Sequence, residues 1–374
     1  MTTTIDPRLE ADPAPDGRAE ALVERLFGGL LGGMELLSVE IGRRLGLYDA
    51  MHRHGPVGCD EFAARSGVAA RYAREWLEQQ AVAGVVEVDD QDASPAERRY
   101  RLPDAHAAVL VDTASPTYFT GCGPFLLGLA QAVPDVAAAY RTGAGVPYAG
   151  FGAEIRHGIE LFNRPMYTHE LAGWLDALPD VRARLRAGTG GVLDVGCGVG
   201  WASIAIARAF PGSTVQGVDS DEASITAARH HAEQAGLADR VTFEVGNAAE
   251  PLGDSARFSL ACVFEALHDM GDPVGALRRI RAVLEPGAPV LVADERVADT
   301  FTAPGDEVER FMYTFSVLHC LPATMAESTA VANGTVLRES TVRDWAAQAG
   351  YGAVTVLPID NDFLRFYRLD TAET

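Results

Sequence analysis

Asp194-Val195-Gly196-Cys197-Gly198-Val199-Gly200 follows the apolar residues Val192 and Leu193 and leads into Trp201-Ala202-Ser203-Ile204. The pattern reads as a strand, a tight turn and the start of a helix. Alternating glycines let the backbone approach a ligand without a Cβ clash, and the helix N-terminus beyond them offers unpaired N–H groups. Dinucleotide enzymes also use a glycine-rich turn here, but theirs is spaced G-x-G-x-x-G. This one is G-x-G-x-G with an acid two residues ahead. Asp194, Gly196, Cys197, Gly198 and Gly200 are therefore the first candidate ligand residues.

Outward from this turn, short apolar runs at 192–195, 214–218, 241–245, 260–264 and 289–293 alternate with helical stretches. Such alternation predicts a parallel sheet built from βαβ units. Two more strands, near 354–357 and 363–369, are joined so tightly through Asp360–Asp362 that they must pair antiparallel. Asp219 closes the second strand, with Ser220 behind it. A carboxylate there accepts hydrogen bonds from both hydroxyls of a ribose. Asn247 and Ala248 follow the third strand, and Phe264 ends the fourth. A plain strand-end cap is the alternative role for Asp219 and Asn247. Beyond Phe264 comes Glu265-Ala266-Leu267-His268-Asp269-Met270-Gly271-Asp272, in which His268 has the near-neutral pKa suited to proton transfer.

The D-x-G-x-G-x-G turn resembles motif I of the class I S-adenosylmethionine-dependent methyltransferases, and the His268-Asp269 segment resembles the H-D-W-x-D segment of their small-molecule O-methyltransferases. Met270 stands where that family has tryptophan. The resemblance implies a Rossmann-like α/β domain of seven strands with an antiparallel last strand, S-adenosyl-L-methionine as cofactor, and His268 as general base. It implies that motif I holds the methionine part of the cofactor and that Asn247 reaches the adenine. It also places an acid at the end of the fifth strand to orient the base. Asp294 and Glu295 both stand there; Glu295 is the choice made on sequence. Phe162-Asn163-Arg164-Pro165-Met166 resembles the F-N-x-x-M segment lining the cavity of the same enzymes, so Phe162 and Met166 become substrate candidates.

Composition narrows the chemistry. All 31 basic residues are arginine, which excludes a lysine Schiff base or a phosphate-loop lysine. With 52 acidic residues the net charge is -21, a surface that repels nucleic-acid phosphates. The five cysteines are scattered and form no CxxC pair, so neither a disulfide framework nor a cysteine zinc site is expected, and no metal is expected. His52, His54, His230 and His231 read as surface histidines. No run of eighteen uninterrupted apolar residues occurs and the N-terminus is no signal peptide, so a cytoplasmic protein away from membranes is expected.

The N-terminal half has a different texture. Residues 1–17 read as a disordered tail. Residues 18–115 read as a dimerisation helix, with Leu22, Leu26, Leu30, Leu37 and Ile41 at helical spacing, followed by a winged-helix unit. In that unit Asp60 caps one helix, Gly67 turns the chain, a second helix spans 70–83, and Val85, Val86 and Val88 pair with Tyr100 and Leu102. The second helix carries Glu75 and Glu78 beside Arg71 and Arg74, the wrong balance for reading DNA; a homodimer is the expected assembly. Residues 116–188 form a helical connector and 189–374 the methyltransferase domain, with an insertion at 296–340. Tyr313 and Phe315, in an apolar-aromatic cluster on that insertion, are expected to contact a small-molecule acceptor, and the stretch from Thr324 to Gly334 to act as a mobile lid. The expected reaction is transfer of a methyl to a hydroxyl of an aromatic or polyketide-like molecule. A carbon or nitrogen acceptor is the alternative, or a cofactor-binding regulator or pericyclase-like protein that transfers no methyl.

Overall fold

Residues Arg18–Arg44 form one long helix that stops where Gly46 adopts a left-handed conformation, and Leu47–His54 follows. The structure, a computed structural model, describes residues 17–252, 258–328 and 330–371, so the expected tail lies outside the described residues apart from Gly17. Two compact units divide at His106. In the first, Leu22, Val23, Leu26, Phe27, Leu30 and Met34 of the long helix are exposed, whereas its end is packed: a Cβ on Gly42 would meet Tyr48 and Trp76 at 2.5 and 2.6 Å. Helices Cys59–Ser66 and Ala70–Val82 flank a left-handed Gly67. The first is capped by Gly58 without a side-chain bond, so Asp60 lies inside the helix and is not its cap. Strands β1 (Val57–Gly58), β2 (Glu87–Val88) and β3 (Arg99–Arg101) form a small sheet in the order β1-β3-β2, with Val57 and Val88 both opposite Tyr100. Only Val88 of the expected valines lies in a strand; the two-residue β1 was too short to show in the sequence. On the second helix Arg71 pairs with Glu75 and Arg74 with Glu78, which neutralises its basic face.

The second unit is built on a seven-stranded sheet: β4 (Gly191–Val195), β5 (Thr214–Asp219), β6 (Val241–Val245), β7 (Leu260–Phe264), β8 (Val290–Glu295), β9 (Tyr351–Val356) and β10 (Leu364–Thr371). Their order is β6-β5-β4-β7-β8-β10-β9, with β10 antiparallel to both neighbours and the pairs from β6 to β8 parallel. The central strands β4, β7 and β8 are apolar apart from Asp194, Asp294 and Glu295 near their C-terminal ends, because both faces are covered. Val192, Leu260, Cys262 and Phe264 face a core shared with helices Trp201–Ala209 and Glu222–Gln234, while Leu193, Ala261, Val263 and Val290 face helices Pro273–Val283 and Glu339–Ala349. The chain order reverses between β4 and β7, and in open α/β sheets ligands bind beyond the strand ends at that point.

Two helices cover this end of the sheet, Cys122–Thr142 and Gly152–His169. The first is long and apolar enough to cross a membrane by length and composition, although it has no uninterrupted apolar run of eighteen. Here it packs against its neighbour, where a Cβ on Gly128 would lie 2.6 Å from Ile155 and one on Gly158 2.5 Å from Phe125. After β8 the chain forms the helix Glu307–Phe315, a π-helical turn Ser316–Cys320 and the helix Leu321–Glu327. The lid expected from Thr324 is therefore helical as far as Glu327, and Thr324 is fully buried. Pro322 and the two alanines that follow favour a helix start over a loop.

Candidate active site

One cavity of about 1010 Å³ opens at the switch point. Its floor is the glycine turn. Gly196, Gly198 and Gly200 all have positive φ, the region glycine enters without cost. A Cβ on Gly196 would meet Ala266 at 2.4 Å, and one on Gly200 would meet Phe243 at 2.6 Å. At Gly198 nothing lies within 4 Å, so this face of the turn is left clear on the cavity side. Asp219 stands beside it. Its Oδ2 accepts from the Gly198 N–H at 2.8 Å and its Oδ1 from the Asp221 N–H at 2.9 Å. Burial raises its pKa, and these two donors work against that rise.

Of the residues picked on sequence, Gly196, Cys197, Gly198, Gly200, Asp219, Ser220, Asn247, Ala248 and Phe264 all line the cavity, as do Phe162, Met166, Phe315, His268 and Glu295. Asn247 also keeps its capping role, its Oδ1 accepting from the Ala249 N–H. Asp194 does not line it. Its side chain points to the face covered by the helix Trp201–Ala209, where Ser203 Oγ donates to it at 2.5 Å, and burial pushes its pKa up to about 6. It fastens the turn to the helix. Tyr313 is also absent from the lining; its hydroxyl accepts from Arg338 and its ring meets Phe301 edge-on, because it projects from the other side of its helix.

His268 is buried within a short 3₁₀ turn just past β7. Its Nδ1 lies 2.9 Å from Asp294 Oδ1. The acid that pairs with His268 is thus Asp294 and not the expected Glu295: side chains alternate along β8, and Asp294 shares the face of Val290 and Val292 while Glu295 points the other way. His268 Nε2 lies 3.3 Å from Asp269, and the donor atoms of His268, Asp269 and Cys320 fall within 4.8 Å of one another. Burial alone would lower the imidazole pKa, but the Asp294 and Asp269 carboxyls outweigh it and hold it well above the ordinary value.

Several cavity residues escaped the sequence reading. Glu265 has a left-handed φ of 51°, and its carboxyl accepts from Asn163 at 3.1 Å and Tyr167 at 3.4 Å. Burial pushes its pKa up to about 7 and raises that of Glu295 well above the carboxylate range. Neither glutamate has a basic group within ion-pair distance among the described residues. A non-glycine left-handed residue at a strand end is uncommon. It has no sequence signature. His231, expected on the surface, is half-buried instead, lying 3.4 Å from Glu160 and packing its ring on Trp201 at 4.9 Å.

The donor set fits S-adenosylmethionine. The open Gly198 face and the Asp219 carboxylate suit an amino-acid moiety and a ribose, and Phe264, Phe162 and Met166 supply apolar walls. Residues 189–346 match a family described as a methyltransferase domain, and residues 33–112 match an Rv2258c-like winged HTH domain. Methyltransferase GfsG of Streptomyces halstedii is 33% identical over 131 residues, covering 35% of this chain and 46% of its own, so the match spans about half of that relative. The chain is similar in structure to an O-methyltransferase from Nostoc punctiforme, with a TM-score of 0.68, 18% identity, and coverage of 96% of this chain and 100% of the other. It is also similar to human N-acetylserotonin methyltransferase solved with S-adenosylmethionine, with a TM-score of 0.63, 17% identity, and coverage of 97% and 100%. The chain carries a methyltransferase domain at residues 189–346 and, ahead of it, an Rv2258c-like winged helix-turn-helix domain at residues 33–112.

Proposed function

We propose that the protein transfers a methyl group to a hydroxyl of a small aromatic or polyketide-like molecule. The observation carrying this is one cavity that holds both the Gly198–Asp219 cradle and the His268–Asp294 pair. The bound cofactor supplies an electrophilic methyl group. Gly196, Cys197, Gly198, Asp219, Ser220, Asn247 and Ala248 hold it, while the cavity walls align the acceptor oxygen, the main source of rate in such a displacement. His268 takes the acceptor proton, its Nδ1 proton held by Asp294 so that Nε2 faces the oxygen. The carboxyls that raise the imidazole pKa also favour its protonated form, so His268 acts as a base only once that proton has left.

The same reading includes a cytoplasmic homodimer without nucleic-acid partners. The exposed leucines, Phe27 and Met34 of the helix Arg18–Arg44 form an apolar face that a second copy covers, and Gly28, Gly29 and Gly32 permit close approach. The test is incubation with S-adenosylmethionine and 1-naphthol or 1,2-dihydroxynaphthalene, with mass spectrometry for S-adenosylhomocysteine and methyl ether. Binding of the cofactor without its consumption would move the reading to a regulator or pericyclase-like protein; a C- or N-methylated product from other acceptors would move it within the family.

A further inference from the structure

His319 is a cavity residue that the mechanism does not use. It is 1% exposed, and its Nε2 has no hydrogen-bond partner among the described residues, while the residue lines the cavity wall. Buried polar atoms are nearly always paired, so an orphan on a cavity wall marks the place where a ligand supplies the partner. Its ring cannot swing away to find another. It stacks on Phe315 at 5.0 Å and 8°, and Phe151 closes it in at 4.4 Å. Its other nitrogen, Nδ1, is engaged by the Cys320 thiol at 3.4 Å. The Cys320 sulfur also lies within 4.8 Å of a ring nitrogen of His268, so the same thiol neighbours both imidazoles. The π-helical turn Ser316–Cys320 sets this arrangement; such turns recur at functional sites.

We infer that His319 is a specificity residue that hydrogen-bonds a second oxygen of a planar aromatic acceptor, adjacent to the oxygen presented to His268. This rests on the methyl-transfer reading above. Burial keeps the imidazole neutral, with its pKa pushed down to about 4, so it meets an uncharged hydroxyl or carbonyl and not an anion. The surroundings supply the flat partner: Phe125 packs on Phe315 at 5.0 Å and on Phe162 at 5.7 Å, giving an aromatic wall continuous with the histidine ring. An acceptor with one isolated hydroxyl would fill this wall but leave Nε2 unpaired.

The experiment compares 1,2-dihydroxynaphthalene with 1-naphthol by KM in the wild-type protein and in His319→Phe, which keeps the ring stack and removes both nitrogens. The wild-type protein is expected to favour the diol, and the ratio of the two KM values to fall about 10-fold or more in His319→Phe. His319→Gln, whose amide reaches the Nε2 position, is expected to restore part of the preference. Calorimetry with S-adenosylmethionine on each variant serves as the folding control. A KM ratio unchanged in His319→Phe overturns the inference, as does failure of both naphthols to bind the complex with S-adenosylhomocysteine. Absence of cofactor binding in the wild-type protein instead overturns the methyl-transfer reading itself.

Discussion

At the scale of single residues, Asp219 and His268 divide the work between binding and chemistry. Asp219 already accepts two backbone N–H groups, one at each oxygen, and lines the cavity. In Asp219→Ala two charge-assisted bonds to a ribose are lost, each about 1.5–3 kcal/mol, so S-adenosylmethionine affinity should fall by roughly 10²-fold or more in calorimetry. Unchanged affinity would remove Asp219 from the site. His268→Ala should lower turnover by roughly 10²–10⁴-fold while cofactor affinity stays within a few-fold. The pH dependence follows in sign. A base whose pKa is held above that of ordinary histidine loses its proton at higher pH than a free imidazole does, so the rising limb of kcat/KM should lie on the alkaline side of that of an unperturbed histidine. In Asp294→Asn the limb should move to lower pH and the maximum should drop; a limb that stays in place would separate His268 from the rate.

At the scale of elements, the glycine turn shows what a sequence makes legible. The three glycines share positive φ, yet only structure separates their jobs. Gly200→Ala adds left-handed strain of about 1–2 kcal/mol and overpacks Phe243 by ~1–3 kcal/mol, so it should lower the melting temperature clearly. Gly198→Ala meets no protein atom, so it should lose only the strain but weaken cofactor binding; equal effects of the two on melting would refute this division. The strands, the order of the units and the cavity-lining half of motif I were readable because burial on both faces and glycine spacing leave a direct imprint. Asp194 misled because an acid before a glycine turn looks the same whether it turns to a ligand or to Ser203. Asp294 and Glu295 could not be separated because neighbouring acids at a strand end differ only in register. Glu265 and His319 owe their places to a left-handed residue and a π turn, neither of which has a compositional mark.

At the scale of the whole molecule, the long N-terminal helix and the net charge set the behaviour in solution. Removing residues 1–44 should abolish the dimer or cause aggregation by light scattering; a well-behaved, fully active monomer would refute the proposed interface. Stability should also depend on pH. Asp194, Glu265 and Glu295 have folded pKa values raised above those of the unfolded chain, so the folded state holds extra protons, between pH 3.8 and about 6 for Asp194 and between pH 4.5 and about 7 for Glu265, with Glu295 acting in the same direction. Their contribution is fully present below these windows and is lost as pH rises through them. His268 acts in the same direction at higher pH. The melting temperature should therefore be higher at pH 5.5 than at pH 8, with part of the difference removed in Glu265→Gln; a flat profile would contradict the burial of these carboxyls.

The glutamates beside the cavity have one more consequence, which shows in heat rather than in rate. A ligand that brings positive charge next to Glu265 and Glu295 lowers their pKa values and expels a proton into the medium. The enthalpy measured on binding then includes the ionisation heat of whichever buffer takes up that proton. Titrations in Tris and in phosphate should give different apparent enthalpies for S-adenosylmethionine, and the slope against buffer ionisation enthalpy counts the protons released.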